Sequence, residues 1–260
     1  MESKNPIQSA ERIFLILETI AELKSAGLME LSSRVQLHKS TVHRMLLSLI
    51  QMGYVKQNED SGKYSPTFKL VEIAGKILEG VDEVSLVHPY LEKLSSDSKE
   101  TIHLVQRSDS QVVYIDKVEP QYMEGSSIRM ASRIGLARPM YCTAVGKVIL
   151  SELSLQEVKD IWDRSTIEKK TEYTITSFDK LLTELELIKK LGYAIDNEEN
   201  ETGVRCIAVC IINHKGKVNS AFSISGPTVR MTDDRIKELS KKILITQREI
   251  SELLRRKGPF

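Results

Sequence analysis

Lys39, Ser40, Thr41, His43 and Arg44 are crowded into residues 39–44, and each carries a side chain able to donate a hydrogen bond. Arg34 precedes them and Lys63 follows. Donors clustered in this way suit phosphate oxygens and the edges of bases. From Leu31 to Asn58 there is no Asp or Glu, and Arg34, Lys39, Arg44 and Lys56 make the run +4. The whole chain is 28% charged with a net charge of only +1, so an argument for a polyanionic partner must be local. The plain alternative is a small helical unit with solvated cations.

A second set of residues suits a small polar ligand. Thr143, Ala144 and Val145 follow Pro139 where a helix is expected to begin, and free N–H groups there attract an anion. Taken alone, this reads as an ordinary helix start. Ser223 and Ser225 are two apart on an expected strand, so their hydroxyls share a face and could meet a ligand or merely a neighbouring loop. Asp196 ends an apolar run and could point into a pocket, whereas the rest of Asp196-Asn-Glu-Glu-Asn-Glu-Thr-Gly reads as a solvated acidic turn. Cys206 and Cys210 share a strand face and read as small buried hydrophobes, and no metal-binding spacing accompanies them. His88, His103 and His214 are isolated in the sequence.

The first set needs a scaffold. Ile13, Ile16, Leu17, Ile20 and Leu23 give a helix over about 8–24, and residues 29–36 give a short second one. Residues 39–52 give a third, with Val42, Met45, Leu46, Leu49 and Ile50 in one stripe and Gly53 as its stop. The donors lie off that stripe, in the N-terminal half, where a recognition helix meets DNA. Tyr54–Tyr64 reads as a hairpin turning at Asp60-Ser61-Gly62, which makes a wing with Lys63 at its tip. A further helix is expected over 68–78.

The second set needs another scaffold. Helical texture continues over residues 81–98, without a Gly/Ser/Pro tract, and is read as a helical linker between domains 1–80 and 99–260. Strands are expected at 102–105, 112–116, 128–130, 193–196, 206–212 and 217–225. Helices are expected at 143–152, 155–162, 177–191 and 232–256. The class is α+β: an N-terminal winged helix-turn-helix, then an antiparallel sheet with helices packed on it.

Composition excludes several classes. Three cysteines are too few for a disulfide framework and fit a reducing, cytoplasmic setting. Met1–Arg12 is not a signal peptide, and no window approaches 18 apolar residues, so no membrane partner is expected. P-loop, GxGxxG and GxSxG signatures are missing, and no cofactor, metal or catalytic residue is expected.

The stretches QLHKSTVHRMLLSLIQMGYV, KYSPTFKLVEIA, RIGLARPMYCTAVGKVIL, GYAIDNEENETGVRCIAV and SISGPTVRMTDDRI, in this order, closely resemble the isocitrate-lyase-regulator (IclR) family of bacterial transcription regulators. The likeness covers nearly the whole chain. KETIHL, VVYIDKVE, RMASRIG, TEYTITS and the final Pro259-Phe260 resemble its KdgR branch, which represses pectin and hexuronate breakdown and is released by 2-keto-3-deoxygluconate. The resemblance implies a C-terminal GAF-like effector domain whose pocket lies over the sheet. Its motifs place that pocket at Thr143, Ala144, Val145, Asp196, Cys206, Ser223 and Ser225, lined by Met130 and Val204. Arg138 stands where other branches often carry an apolar residue; it either pairs with a sugar-acid carboxylate or faces solvent.

The resulting expectation is a repressor of sugar-acid catabolism genes, bound as a homodimer to a palindromic operator in double-stranded DNA, with dimers pairing into tetramers. Lys39, Ser40, Thr41, His43 and Arg44 would face the major groove; Arg34, Lys63 and Arg12 would contact backbone or minor groove. The effector would be 2-keto-3-deoxygluconate or a related 2-keto acid. Two alternatives stay open: an activator answering another small carboxylate or an aromatic effector, and a sugar-acid enzyme or sensor whose N-terminus mediates protein contacts.

Overall fold

The structure is a computed structural model that describes residues 7–79, 82–120, 132–212 and 216–257. The strand expected at 128–130 and His214 lie outside the described residues. The chain forms two compact units, Met1–Gly80 and Val81–Phe260.

The first unit carries α1 (Gln8–Leu23), α2 (Leu28–Arg34), α3 (Lys39–Gln51), β1 (Val55–Gln57), β2 (Tyr64–Pro66) and α4 (Lys69–Glu79). Its core is made by the stripes anticipated from spacing: Ile16, Leu17 and Ile20 of α1 meet Leu31 of α2 and Val42, Met45, Leu46 and Leu49 of α3. Gln36, at φ 53°, makes the tight bend between α2 and α3, where the Ser32 hydroxyl donates to the Leu37 carbonyl at 2.6 Å. Gly53 is left-handed at φ 78° and ends α3. The hairpin pairs Val55 with Pro66 and Gln57 with Tyr64, and Tyr64 also exchanges backbone bonds with Ala26. This is a winged helix-turn-helix.

The second unit carries α5 (Asp82–Ser98), β3 (Thr101–Ser108), β4 (Gln111–Val118), β5 (Ala137–Pro139), α6 (Ala144–Ser151), α7 (Leu155–Arg164), α8 (Phe178–Leu191), β6 (Ala194–Asn197), β7 (Val204–Ile212), β8 (Val218–Pro227) and α9 (Asp233–Lys257). The six strands form one antiparallel sheet in the order β5-β4-β3-β8-β7-β6. The helix read as a linker over 81–98 is α5, which packs on α9, β3 and β4 and so belongs to this unit. The short edge strand β5 went unanticipated; it exists through pairing of Ala137–Pro139 with Gln111–Val113.

Helix α6 lies against β7, β8 and α8. All its residues are buried, and a Cβ on Gly146 would fall 2.3 Å from the Met140 backbone. Only glycine permits that approach. The close seat fixes where the N-terminus of α6 arrives over the sheet.

Candidate functional site

Two surfaces concentrate polar chemistry, one in each unit. In the first, the apolar stripe of α3 is buried, which turns the remaining face outward. Lys39, Ser40, His43 and Arg44 are exposed and Thr41 is half-buried. The His38 imidazole caps the helix, accepting from the Ser40 N–H at 3.4 Å and bonding its hydroxyl at 2.9 Å. Ser40 is thus engaged locally. The side chains of Arg34, Lys39, His43, Arg44 and Lys63 have no hydrogen bond or ion pair among the described residues. Arg12, on α1, is half-buried. In the wing, the Asn58 carboxamide accepts from the Ser61 N–H and hydroxyl at 2.8 Å, and Gly62 turns at φ 66°, presenting Lys63 to solvent. An uncompensated row of cations and donors at a helix start and wing is matched to an external polyanion.

The second surface is a partly enclosed pocket over the sheet, lined by Arg138, Thr143, Ala144, Val145, Asp196, Val204, Cys206, Ser223 and Ser225, with His103, Tyr114, Ser132, Asn200 and Glu201. Met130 lies outside the described residues. Strand register explains the gathering. Asp196 pairs with Cys206 and Cys206 with Ser225, so these side chains form one row across β6, β7 and β8. Ser223 pairs with His103 in the next row.

The α6 start has the donors an anion needs. The Thr143 hydroxyl donates to the Pro139 carbonyl at 2.8 Å and accepts from the Gly146 N–H at 3.2 Å, and the Lys147 N–H meets the Thr143 carbonyl at 2.8 Å. The N–H groups of Ala144 and Val145 have no acceptor among the described residues. They sit at the positive end of the helix dipole. The Arg138 guanidinium borders the pocket, and its side chain bonds the Ala137 carbonyl at 3.4 Å, its one partner among the described residues.

Asp196 is 4% exposed, and its Oδ1 accepts the Glu199 N–H at 2.7 Å and the Asn200 N–H at 3.4 Å. Burial, then the nearby Glu199 charge, push its carboxyl up to about 7. Burial likewise raises the Cys206 thiol, keeping it protonated. Behind the pocket, Lys147 of α6 is 0% exposed and forms ion pairs with Glu199 and, at 3.1 Å, with Glu184 of α8. Burial draws the ammonium toward neutrality, but Glu199 and Glu184 outweigh it and hold the charge.

These contacts correct the reading of residues 197–203 as a solvated acidic turn. Glu199 is buried on Lys147, while Asn200 and Glu201 line the pocket. His103 is also not isolated: its ring bonds Ser132 and Ser225. Its partners come from distant segments, so no local spacing announces it. A more open groove between α5 and α9 borders exposed Lys93, Glu249 and Glu252 and gathers no buried donors. Among the described residues, no group of three or more His, Cys, Asp or Glu could hold a metal, and no helix is long and apolar enough to cross a membrane.

Comparison with known proteins assigns both units. Residues 9–59 match the IclR helix-turn-helix domain, and residues 75–252 match the bacterial transcriptional regulator IclR C-terminal domain. The chain is 40% identical over 245 residues to the HTH-type transcriptional regulator KdgR of Escherichia coli, spanning 94% of this chain and 92% of that protein. It is 39% identical over 246 residues to the KdgR of Dickeya chrysanthemi, spanning 95% and 79%. The crystal structure of the Thermotoga maritima IclR superposes with a TM-score of 0.76 at 33% identity, over 95% of this chain and 98% of that one. With a winged helix in its first unit, a pocketed antiparallel sheet in its second and these relatives across its length, the chain belongs to the IclR family of bacterial transcriptional regulators.

Proposed function

We propose that this regulator is a cytoplasmic repressor of sugar-acid catabolism genes, released by 2-keto-3-deoxygluconate or a related 2-keto acid. The observation that carries the reading is the pairing of an uncompensated cationic α3 face with a buried pocket whose donors suit a carboxylate and whose other groups suit hydroxyls. Lys39, Thr41, His43 and Arg44, with Ser40 through its hydroxyl, read the major groove. Arg34, Lys63 and Arg12 hold the backbone or minor groove. The domain division follows the same logic: a DNA-binding head over 1–80 and an effector domain that begins with α5.

In the pocket, the effector carboxylate meets the Ala144 and Val145 N–H groups at the Thr143-capped helix start, with Arg138 as a second cationic contact. Asp196 accepts from effector hydroxyls, Ser223 and Ser225 bond the chain, and Cys206 and Val204 line it. The active species is a homodimer, able to pair into tetramers, on an inverted repeat with half-sites ~34–36 Å apart. The first unit exposes Phe14, Phe68, Val71 and Ile77, an apolar surface that a second copy would cover. Effector occupancy shifts the population between arrangements of the two heads that fit or miss the operator.

The test is operator binding measured against salt and against 2-keto-3-deoxygluconate. Specific binding that weakens steeply with salt, and again with millimolar effector, supports the reading. Binding without any effector response removes the sugar-acid assignment; turnover of a sugar acid without DNA binding removes the whole.

A further inference from the structure

One line of hydrogen bonds in the pocket is additional to the carboxylate-binding helix start. The His103 ring, on β3, lies between two hydroxyls. Its Nε2 is 2.6 Å from Ser132 Oγ and its Nδ1 is 3.2 Å from Ser225 Oγ. Ser225 Oγ is in turn 3.2 Å from Ser223 Oγ. The line therefore runs from the segment before β5, across β3, to two positions of β8. Its members all border the cavity. The ring is 2% exposed and packs beside Tyr114, centroids 4.9 Å apart.

Burial, reinforced by the Lys117 charge, brings the His103 imidazole down to about 3, so the ring is neutral at physiological pH. A neutral imidazole has one donor nitrogen and one acceptor nitrogen, and either tautomer completes the line. Exchanging tautomers reverses the direction of every hydroxyl along it. A carboxylate requires donors alone, as the α6 start supplies. A ligand hydroxyl both donates and accepts, and a row whose polarity can reverse meets it in either orientation.

We propose that the Ser132–His103–Ser225–Ser223 line is the specificity element of the pocket, selecting an effector with a polyhydroxylated chain over one that has only the 2-keto acid end. This inference rests on the sugar-acid reading above. His103 is its pivot, because it alone joins the two ends. A site that bonds ligand hydroxyls rejects analogues lacking them, since the spare donor or acceptor at the ends of its line, Ser132 and Ser223, is then left unpaired.

The experiment is calorimetric titration of full-length protein with 2-keto-3-deoxygluconate and with pyruvate, which shares the acid end and lacks the hydroxylated chain. Wild type, His103→Leu, His103→Gln and Ser132→Ala are compared, with thermal melts to identify any variant that fails to fold. The expected result is that His103→Leu lowers the preference for the six-carbon acid by about ten- to a hundredfold while pyruvate affinity stays within about threefold. Ser132→Ala gives a smaller loss of the same kind and, lying at the edge of the pocket, serves if His103→Leu does not fold. His103→Gln, which keeps a donor and an acceptor, restores part of the preference. Equal loss for both ligands, or none for either, overturns the inference and leaves the sugar-acid reading standing. Failure of wild-type protein to bind the six-carbon acid overturns both.

Discussion

The two units treat their cations in opposite ways. At the end of α2, on α3 and on the wing, Arg34, Lys39, Arg44 and Lys63 are exposed and have no partner among the described residues. In the second unit, besides Arg138 at the pocket, one cation is internal: Lys147 is fully buried between Glu199 and Glu184. Elsewhere in the unit, Arg230 grips the buried Glu100 at 2.7 Å. An exposed cation costs little to keep and releases counterions when a polyanion arrives. A buried one is tolerable only with partners in place. The first arrangement holds binding capacity ready for an external charge; the second uses charge to set the shape of a cavity.

Removing each kind of charge should therefore have different consequences. The largest effect is expected for Lys147→Met, which strands buried Glu199 and should destabilise the second unit by about 3–5 kcal/mol in chemical denaturation. Adding Glu199→Gln should recover much of the loss. If Lys147→Met is instead neutral, the pair does not hold the pocket wall.

Asp196 gives the next effect. Its carboxyl is raised from 3.8 to about 7 in the folded state, so the folded protein holds a proton that the unfolded chain has released. That contribution is complete below about pH 4 and is lost as pH rises through about 7, with a slope of at most ~1.4 kcal/mol per pH unit. Asp196→Asn should flatten this part of the melting profile between pH 4 and 7. His103, lowered to about 3, works in the opposite sense: its contribution is present above about pH 6.5 and fades as pH falls toward 3.

On the exposed side the effects are smaller and fall on binding instead of folding. Arg44→Ala should weaken specific operator binding by about 1–3 kcal/mol with an unchanged melt. An unaltered affinity would remove Arg44 from the interface. Lys63→Ala should weaken binding evenly across operator sequences and reduce the logarithmic salt slope by about 1. A sequence-dependent loss would mean that the wing reads bases.

The difference also explains what the sequence makes legible. The α3 surface depends on local order: a stripe from Val42 to Ile50, donors between its members and an acid-free run around them, all within one helical stretch. The start of α6 is local too, through Pro139 and the Thr143 cap. The interior of the second unit is not local. Lys147 finds Glu184 and Glu199 37 and 52 positions away, and His103 finds Ser225 122 positions away. A lysine in a helix and a lone histidine look solvent-facing until the sheet is assembled. The turn after Asp196 looks solvated in the sequence for the same reason, because Glu199 is countered by Lys147 on another element. Edge strand β5 is three residues long and ends in Pro139, too short for any alternation to show. Resemblance to a family supplied the pocket residues that spacing left undecided between ligand and packing.

All three cysteines, Cys142, Cys206 and Cys210, belong to the second unit, and burial pushes the thiols of Cys142 and Cys210 up to about 12. The first unit has none. In the closed fold these sulfurs are slow nucleophiles, poorly disposed to oxidation or alkylation. A thiol reagent reaching Cys142 or Cys210 in the intact protein would thus report one event, the transient opening of the ligand-binding half. Its rate, followed with and without a candidate sugar acid, would measure how firmly that half closes on its ligand without DNA in the assay.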